Sequence, residues 1–343
     1  MRRALDQAAQ ALQAQAREPD AKPGVTAALA DLQRGDPAKA EAIFRDVLES
    51  KSAEGAAANR EAAAAARHLA ALTLLHDRQR ALDYSKRAVD LDPTSIEAWL
   101  LRGLVLDRAR ELAAARAAYQ QALDLDPADP RQRSVALTGL GDVAVFLDRV
   151  DAAERFYQEA LGIIEAAARA SPGDPGAQRD PSVSLNKIGD VRVATGDRTG
   201  ALEAYEQGRA IAETLAARDP TNAEWQRDLS VSYERIGDVR VAQGDRAGAL
   251  EAYEQGRAIA ETLAARDPAN AEWQRDLIVS NVKLAQVAQQ DGRAAEARRH
   301  YGAALAVAKA LQESGRLAPV DAWMIGDLEA RLAALAEGSA TSQ

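Results

Sequence analysis

Cysteine is absent from the 343 residues, and histidine occurs three times. Without cysteine the chain has no disulfide, thiolate metal site or cysteine nucleophile, although this does not identify a cellular compartment. His68, His76 and His300 lack neighbours at the spacings of metal-binding motifs. His68 and His76 are eight residues apart, a spacing that allows a shared helix face but that ordinary surface histidines explain better. We expect no metal and no cofactor.

The sequence also lacks a long hydrophobic run. No segment approaches the length of about 18 apolar residues that a membrane-spanning helix requires. The first residues, MRRALDQAAQALQ, contain paired arginines but no uninterrupted apolar stretch, so they do not resemble a secretory signal. Leu5, Ala9 and Leu12 share one helix face instead. We expect a soluble, cytoplasmic protein.

Aromatic residues make up 4% of the chain, whereas hydrophobic residues, with alanine prominent, make up 47%. This composition favours closely packed helices over sheets. Because 343 residues exceed one comfortable core, the chain is either several domains or an array whose core grows by stacking. The formal net charge of -9 argues against a nucleic-acid or anionic-membrane partner and favours a basic one.

A long internal repeat distinguishes between these two organisations. Residues 188–231 recur at 236–279 with four substitutions, so the period is 48 residues. Periods in the range of about 20 to 50 residues are typical of solenoids and related arrays. Trp225, Leu229, Tyr233 and Ile236 follow a helical spacing, which predicts a long first helix from about residue 222 to 242.

Residues 96–127 carry the small, aromatic and proline positions of a known repeat: Trp99, Gly103, Ala115, Tyr119, Ala122 and Pro127. This segment resembles the tetratricopeptide repeat family. The marker alanine of the second helix recurs seven times, at Ala40, Ala81, Ala115, Ala153, Ala201, Ala249 and Ala297. An aromatic residue follows it closely each time: Phe44, Tyr84, Tyr119, Tyr157, Tyr205, Tyr253 and Tyr301. The longer, 48-residue units are similar to those of kinesin light chains.

The resemblance implies an all-α, right-handed superhelical solenoid of about seven antiparallel helix hairpins with a C-terminal capping helix. The expected segments are an N-terminal helix (1–20), shorter repeats (21–170), a junction (171–181), long repeats (182–316), a capping helix (317–338) and a tail (339–343). In the junction, Pro181 fits the first turn of a shortened helix, and the segment is either a hinge or a rigid loop. Val320, Trp323, Leu328, Leu332 and Leu335 form the predicted apolar stripe of the capping helix.

Catalytic motifs are not found in this pattern. The Gly-Asp-Arg turns lie between helices and lack the lysine followed by serine or threonine of a phosphate loop. We interpret carboxylates such as Glu206 and Glu213 as part of a solvated helix face, where they pair with Arg209 at neighbouring turns. With no convergent nucleophile, base and oxyanion donors, we expect a non-enzymatic protein.

The resemblance implies that the first helices line a concave groove that receives a peptide or a partner helix. The candidate groove residues are Asp142, Asn186, Asp190, Glu234, Asp238 and Gln286. The three aspartates follow the helix glycine in successive repeats and predict an acidic stripe for a basic ligand. The alternative is that Asp190 pairs with Lys187, and Asp238 with Arg235, on the same helix.

Two functions follow. The first is a scaffold or adaptor that binds a partner segment in the groove. The second is the sensor or regulatory arm of a larger bacterial signalling or effector complex. Self-association remains open, since an array with an imperfect end can stack on another copy.

Overall fold

The computed structural model describes residues 37–51, 56–74 and 76–340. Within these ranges the chain forms fourteen α-helices and one 3-10 turn, with no β-strand. The prediction of an all-helical array is confirmed. The N-terminal helix predicted at 1–20 lies outside the described residues.

The helices follow one another with short connections. In chain order they are α1 (Pro37–Lys51), α2 (Ala56–Thr73), α3 (Arg78–Leu91), α4 (Ile96–Arg108), α5 (Leu112–Asp124), α6 (Pro130–Phe146), α7 (Val150–Ala170), α8 (Pro175–Thr195), α9 (Arg198–Arg218), α10 (Ala223–Gln243), α11 (Arg246–Arg266), α12 (Ala271–Gln290), α13 (Ala294–Glu313) and α14 (Trp323–Ala340), with the 3-10 turn at Pro319–Asp321.

The chain divides into two compact units, Met1–Ala167 (unit 1) and Ala168–Gln343 (unit 2). In unit 1, α2 packs on α3 and α4 on α5, and the first helices α2, α4 and α6 contact one another in sequence. In unit 2, each helix from α8 to α14 packs on the next. Each unit is therefore built from helix–turn–helix pairs that bury their apolar faces against their neighbours.

The repeated small and aromatic residues form the centre of each pair. Tyr253, on the second helix α11, is 2% exposed. A Cβ atom on Gly237 of the first helix α10 would lie 2.3 Å from Cε1 of that ring. Gly189 and Tyr205 repeat this arrangement one pair earlier, also at 2.3 Å. Glycine is required here because the ring occupies the space of a side chain.

The turn within each long pair is fixed by glycine and aspartate. Gly196 and Gly244 end α8 and α10 with φ of 83° and 85°, a left-handed conformation that glycine adopts without strain. The next residue caps the following helix. Asp197 accepts a hydrogen bond of 2.9 Å from the backbone N–H of Gly200, and Asp245 accepts one of 2.9 Å from that of Gly248. These caps explain why the second helix starts two residues after the glycine.

The long first helix predicted from about 222 to 242 is confirmed as Ala223–Gln243. The shortened helix predicted at Pro181 is wrong, because α8 begins at Pro175 and contains Pro181 in its interior. Asp174 caps that earlier start by accepting the N–H of Gly176 at 2.8 Å, and Pro175 takes the first helical position, which suits proline. Pro181 is buried, and packing of α8 outweighs the loss of one backbone donor.

The apolar stripe predicted for the capping helix is wrong in part. Trp323 is 63% exposed and Val320 is 75% exposed, whereas Leu328 and Leu335 are buried as predicted, together with Met324. The 3-10 turn that contains Val320 interrupts the helical phase, so the predicted stripe fails at its N-terminal end, where Met324 rather than Trp323 is buried. α14 continues to Ala340, and the last three residues lie outside the described part.

Among the helices that the structure describes, none combines the length and the apolar character needed to cross a membrane.

Candidate interaction surface

The first helices of unit 2 expose a repeating face, here called the first-helix face. It comprises three equivalent positions on each of α8, α10 and α12: Val183, Lys187 and Asp190; Val231, Arg235 and Asp238; Val279, Lys283 and Gln286. Steps of four and three residues place each set on one side of its helix. Val183 is exposed, and the other two valines are half-buried. An apolar row, a cationic row and an acceptor row thus run across the three helices.

Asp190 occupies a three-residue network. The Tyr205 hydroxyl donates to Oδ1 of Asp190 at 2.7 Å, and Nη1 of Arg235, from the next repeat, donates to the same oxygen at 2.9 Å. The Arg235 guanidinium also lies over the Tyr205 ring, 5.6 Å from its centroid. Burial, followed by the hydrogen bond to Asp190, raises the pKa of the Tyr205 hydroxyl well above its ordinary value.

Asp238 repeats the network one helix later. The Tyr253 hydroxyl donates to its Oδ1 at 2.6 Å, and Nζ of Lys283 donates to it at 2.6 Å. The same-helix pair predicted between Asp238 and Arg235 is therefore wrong, because Arg235 reaches Asp190 on the preceding first helix. The cation of each repeat crosses to the aspartate of the repeat before it, which links neighbouring first helices.

Asp142 lies in unit 1, where the Tyr157 hydroxyl donates to its Oδ1 at 2.6 Å. The Tyr–Asp hydrogen bond is thus present in three pairs. Side chains of Asp190 and Asp238 remain 48% exposed, so a ligand can still reach them. Each of these two carboxylates already has a cation in contact, which leaves little net negative field.

Asn186 and Glu234 occupy equivalent positions, and each is only partly exposed. Oδ1 of Asn186 is buried with no hydrogen-bond partner among the described residues, while its backbone carbonyl accepts from Arg235 at 3.3 Å. Oε1 of Glu234 accepts from the Ser280 hydroxyl at 2.6 Å. Burial raises the pKa of Glu234 to about 7, and the nearby carboxylates of Asp276 and Asp238 add to this effect.

Gln286 stands where the first two helices have aspartate, and it lines a cleft of about 170 Å³ between α12 and α14. The apolar lining of this cleft includes Val279, Val282 and Trp323, and Lys283 and Asp327 add charged groups to it. The first-helix face therefore changes character at its C-terminal end, from ion-paired to mainly apolar.

Arginine residues missed by the sequence reasoning form a second row of links. Nε and Nη2 of Arg179 donate to the carboxylate of Asp228 at 2.5 and 3.0 Å. Arg227 makes the same contacts with Asp276, at 2.5 and 3.2 Å. Arg275 continues the row to Asp321 at 3.0 Å. The signal in the sequence was the recurrence of Arg-Asp dipeptides in each long repeat, which places the arginine of one helix opposite the aspartate of the next.

The chemistry available on this surface is hydrogen bonding, ion pairing and apolar contact. Among the described residues, no three or more His, Cys, Asp or Glu side chains are grouped in a way that could hold a metal ion. A repeating surface of this kind is suited to an extended or helical ligand with its own periodic side chains.

Residues 75–130 match the sequence model of the tetratricopeptide repeat family. No curated protein matches the sequence significantly. The kinesin-light-chain resemblance of the long repeats is not confirmed by these results and stays a prediction.

Several solved structures resemble the fold. The apo form of RapI is 13% identical, with a TM-score of 0.61, and the match covers 91% of this chain and 86% of that one. A signal transduction ATPase with a tetratricopeptide repeat sensor from Pyrococcus horikoshii is 16% identical, with a TM-score of 0.60 and coverage of 85% and 42%. BtubC (BKLC) from P. vanneervenii is 17% identical, with a TM-score of 0.53 and coverage of 70% and 91%. Residues 75–130 therefore match the tetratricopeptide repeat family by sequence, and the described helices share the fold of these solved structures.

Proposed function

We propose that this protein is a non-enzymatic, cytoplasmic scaffold or adaptor, and that the first-helix face of unit 2 binds an extended or helical segment of a partner protein. The observation that carries the proposal is the repetition of one solvent-accessible set of side chains on α8, α10 and α12. Lateral pairs such as Asp190 with Arg235 and Asp238 with Lys283 hold the helices in register. A rigid, periodic surface lowers the entropic cost of ordering a periodic ligand.

The rows of the face suggest what the segment offers. The valine row, exposed at Val183 and half-buried on the next two first helices, favours apolar side chains at regular spacing. The half-exposed aspartates accept hydrogen bonds from basic or neutral donors. A strongly basic ligand would compete with Arg235 and Lys283 for the same carboxylates. Nucleic acid is disfavoured by the net charge of -9.

The test is affinity purification of the full chain with mass spectrometry, followed by binding of the purified partner to variants. Val183→Glu places a charge in the apolar row at an exposed site and is expected to weaken binding at least tenfold. Ala217→Glu, at an exposed position on the second helix α9 and so outside the first-helix face, is the matched control. Equal affinity of both variants for the partner would contradict the proposed face.

Changing Asp190 and Asp238 to asparagine tests the acidic contribution. The amide oxygen still accepts from tyrosine, but the charge is removed. If the partner is basic, its affinity falls, and the fall is largest at low salt. An unchanged affinity at low salt would remove the basic-partner hypothesis while leaving the apolar row in place.

A second candidate is a sensor or regulatory arm of a larger signalling or effector complex. It is favoured by the structural similarity to the Pyrococcus horikoshii protein, whose repeats are described as a sensor. A partner that carries nucleotide-hydrolysing activity, with a rate that changes when this chain is added, would support this role. A partner without catalytic activity would favour the plain adaptor.

A further inference from the structure

A cleft in unit 1 lies between the two helices of one pair, α4 and α5, and it shares no residue with the first-helix face. Its volume is about 280 Å³. Trp99, Arg102 and Leu106 line it from α4, and Ala114 and Ala117 line it from α5. An apolar cavity of about 150 Å³ admits a benzene-sized group, so this cleft is large enough for a small aromatic molecule.

The two sides of the cleft differ in shape. On α4, Trp99 is half-buried, and its indole N–H donates to the carbonyl of Pro93 at 2.8 Å, which fixes the ring. On α5, Ala114 and Ala117 are exposed and present methyl groups only. From Trp99 to Leu106 the cleft follows α4 for about 10 Å, at about 1.5 Å per residue. A flat ring system of this length therefore fits beside the indole and against the methyl groups.

Arg102 is the one charged side chain among the described residues that line the cleft, and it is half-buried. Its Nη1 donates to the carbonyl of Leu82 at 2.7 Å and to the Ser85 hydroxyl at 3.0 Å, which holds the guanidinium in place. In the part of the chain that the structure describes, Nε and Nη2 have no hydrogen-bond partner, and no carboxylate forms an ion pair with Arg102. Because charges that leave water are usually paired in proteins, this cation favours an anionic ligand.

The surrounding charges do not replace such a ligand. Burial lowers the pKa of Arg102, while the carboxylates of Glu111, Asp90 and Asp83 act on this pKa in the opposite direction from a distance. All three carboxylates are exposed, and Asp90 is paired with Lys86 at 2.5 Å. Their effect at the cleft is therefore weakened by water and salt. A carboxylate in contact with Nε and Nη2 would form two charge-assisted hydrogen bonds that none of these side chains makes.

We propose that the α4–α5 cleft binds a small aromatic monocarboxylate, with its carboxylate on Nε and Nη2 of Arg102 and its ring system beside Trp99 against the alanines of α5. Small-molecule sites combine an apolar lining with a few fixed polar groups, and this cleft has that composition. The planar guanidinium matches a planar carboxylate in a bidentate contact, and a single cation matches a single carboxylate. This site is independent of the partner segment proposed for unit 2, so either proposal can fail without the other.

The test is a ligand-detected NMR titration of the purified full chain with indole-3-acetate and with the neutral indole-3-acetamide. Ligands with about a dozen heavy atoms commonly reach Kd values of about 1 mM. We expect the acid to bind with a Kd of about 1 mM or tighter, and at least tenfold tighter than the amide, because only the acid pairs with Arg102. Equal affinities of acid and amide, or no binding of the acid at about 10 mM, would overturn the proposal.

A third probe separates a small molecule from a peptide. N-acetyl-Gly-Gly-Phe with a free carboxyl terminus carries the same two groups, an aromatic ring and one carboxylate, on a peptide backbone. We expect it to bind more weakly than indole-3-acetate, since the lining offers little to pair with backbone amides. Binding of the peptide at least tenfold tighter than that of indole-3-acetate would identify a peptide terminus as the occupant and overturn the small-molecule assignment.

Variants locate the contact. Arg102→Gln should weaken binding of the acid at least tenfold and leave binding of the amide nearly unchanged, whereas a merely structural role of Arg102 would weaken both. Ala117→Leu fills the cleft and should weaken the acid at least tenfold. Ala113→Leu, at an exposed alanine of α5 outside the lining, is the matched control and should bind like the wild type. If circular dichroism shows that Arg102→Gln is unfolded, the two leucine variants decide, and equal affinities of these two would overturn the site.

Discussion

The hydroxyl of Tyr253 donates a hydrogen bond of 2.6 Å to Oδ1 of Asp238, and the tyrosine ring lies against Gly237, the residue beside that aspartate. One residue therefore fills the space between two helices and at the same time binds the polar edge of the first-helix face. Packing and surface chemistry are coupled in each such pair, because moving the ring would also release the carboxylate.

Removing the hydroxyl tests this coupling. Tyr253→Phe keeps the ring in place but leaves Asp238 with Lys283 as its hydrogen-bond donor. Buried hydrogen bonds to charged groups contribute about 1.5 to 3 kcal/mol, and because this carboxylate is half-exposed we expect a smaller loss of about 1 kcal/mol. Chemical denaturation measures the loss. Tyr205→Phe should cost a similar amount, and no loss in either variant would show that water replaces the hydroxyl.

The glycine beside the ring gives a larger effect. Gly237→Ala places a methyl group 2.3 Å from Cε1 of a buried ring, and overpacking of this kind costs about 1 to 3 kcal/mol. The control is Gly302→Ala on α13, where no atom lies within 4 Å of the new Cβ. That change should stabilise the helix by about 0.5 to 1 kcal/mol, since alanine is the better helix former. Thermal melts provide the measurement. If both variants melt above the wild type, or both below it, the close packing of Tyr253 on Gly237 would be contradicted.

The arginine row contributes through pairs that can be measured separately. A double-mutant cycle with Arg227→Gln and Asp276→Asn should give a coupling free energy of about 1 kcal/mol, because the contact is bidentate and only partly exposed. The equivalent cycle at Arg179 and Asp228 is the internal replicate. Coupling free energies near zero in both cycles would mean that these ion pairs do not stabilise the fold, although they join successive first helices.

Glu234 makes the stability of unit 2 depend on pH. Its pKa is about 7 in the folded chain, mainly because of burial, against 4.5 for an ordinary glutamate. The folded state therefore binds a proton that the unfolded state has released, and the associated stability is complete below pH 4.5 and lost as the pH rises through 7. Each pKa unit corresponds to about 1.36 kcal/mol, so the total loss is about 3 kcal/mol.

Glu234→Gln should remove this dependence of stability on pH, because the amide oxygen still accepts a hydrogen bond from the Ser280 hydroxyl and the side chain does not become charged. We expect the variant to be more stable than the wild type at pH 8 and nearly equal to it at pH 5. Denaturation curves across this range provide the measurement. A wild type whose stability relative to the variant is constant with pH would show that Glu234 is solvated.

His68 in unit 1 gives the opposite dependence. It is buried and stacks on Phe44 with ring centroids 4.5 Å apart, and burial lowers its pKa to about 3, with a smaller effect of Arg67. Because the unfolded histidine binds a proton below about pH 6.5, stability is present above that pH and is lost as the pH falls. At pH 4.5 the loss is about 2 to 3 kcal/mol. His68→Leu should reduce this loss of stability at acid pH. His76→Leu, at an exposed position, is the control and should not reduce it.

The periodic features were accessible from the sequence. Ala201, Ala249 and Ala297 are fully buried as the spacing of the marker alanines indicated, and Trp225 opens a helix that ends where the next glycine predicts. These features depend on local spacing and on the identity of small and aromatic residues. Pro181 was misread for the same reason, since a local helix-breaking rule was applied where packing of the whole helix outweighs it.

The sequence by itself determined the helix–turn–helix units, their lengths and the small and aromatic residues that join each pair, because a period is a property of the chain. The tertiary structure alone decided which aspartate meets which cation, that Glu234 is only partly exposed, and that Trp323 faces water. Those outcomes depend on the rotation between adjacent helices. A few degrees of rotation bring a side chain to a neighbour or to solvent without any change in spacing along the chain.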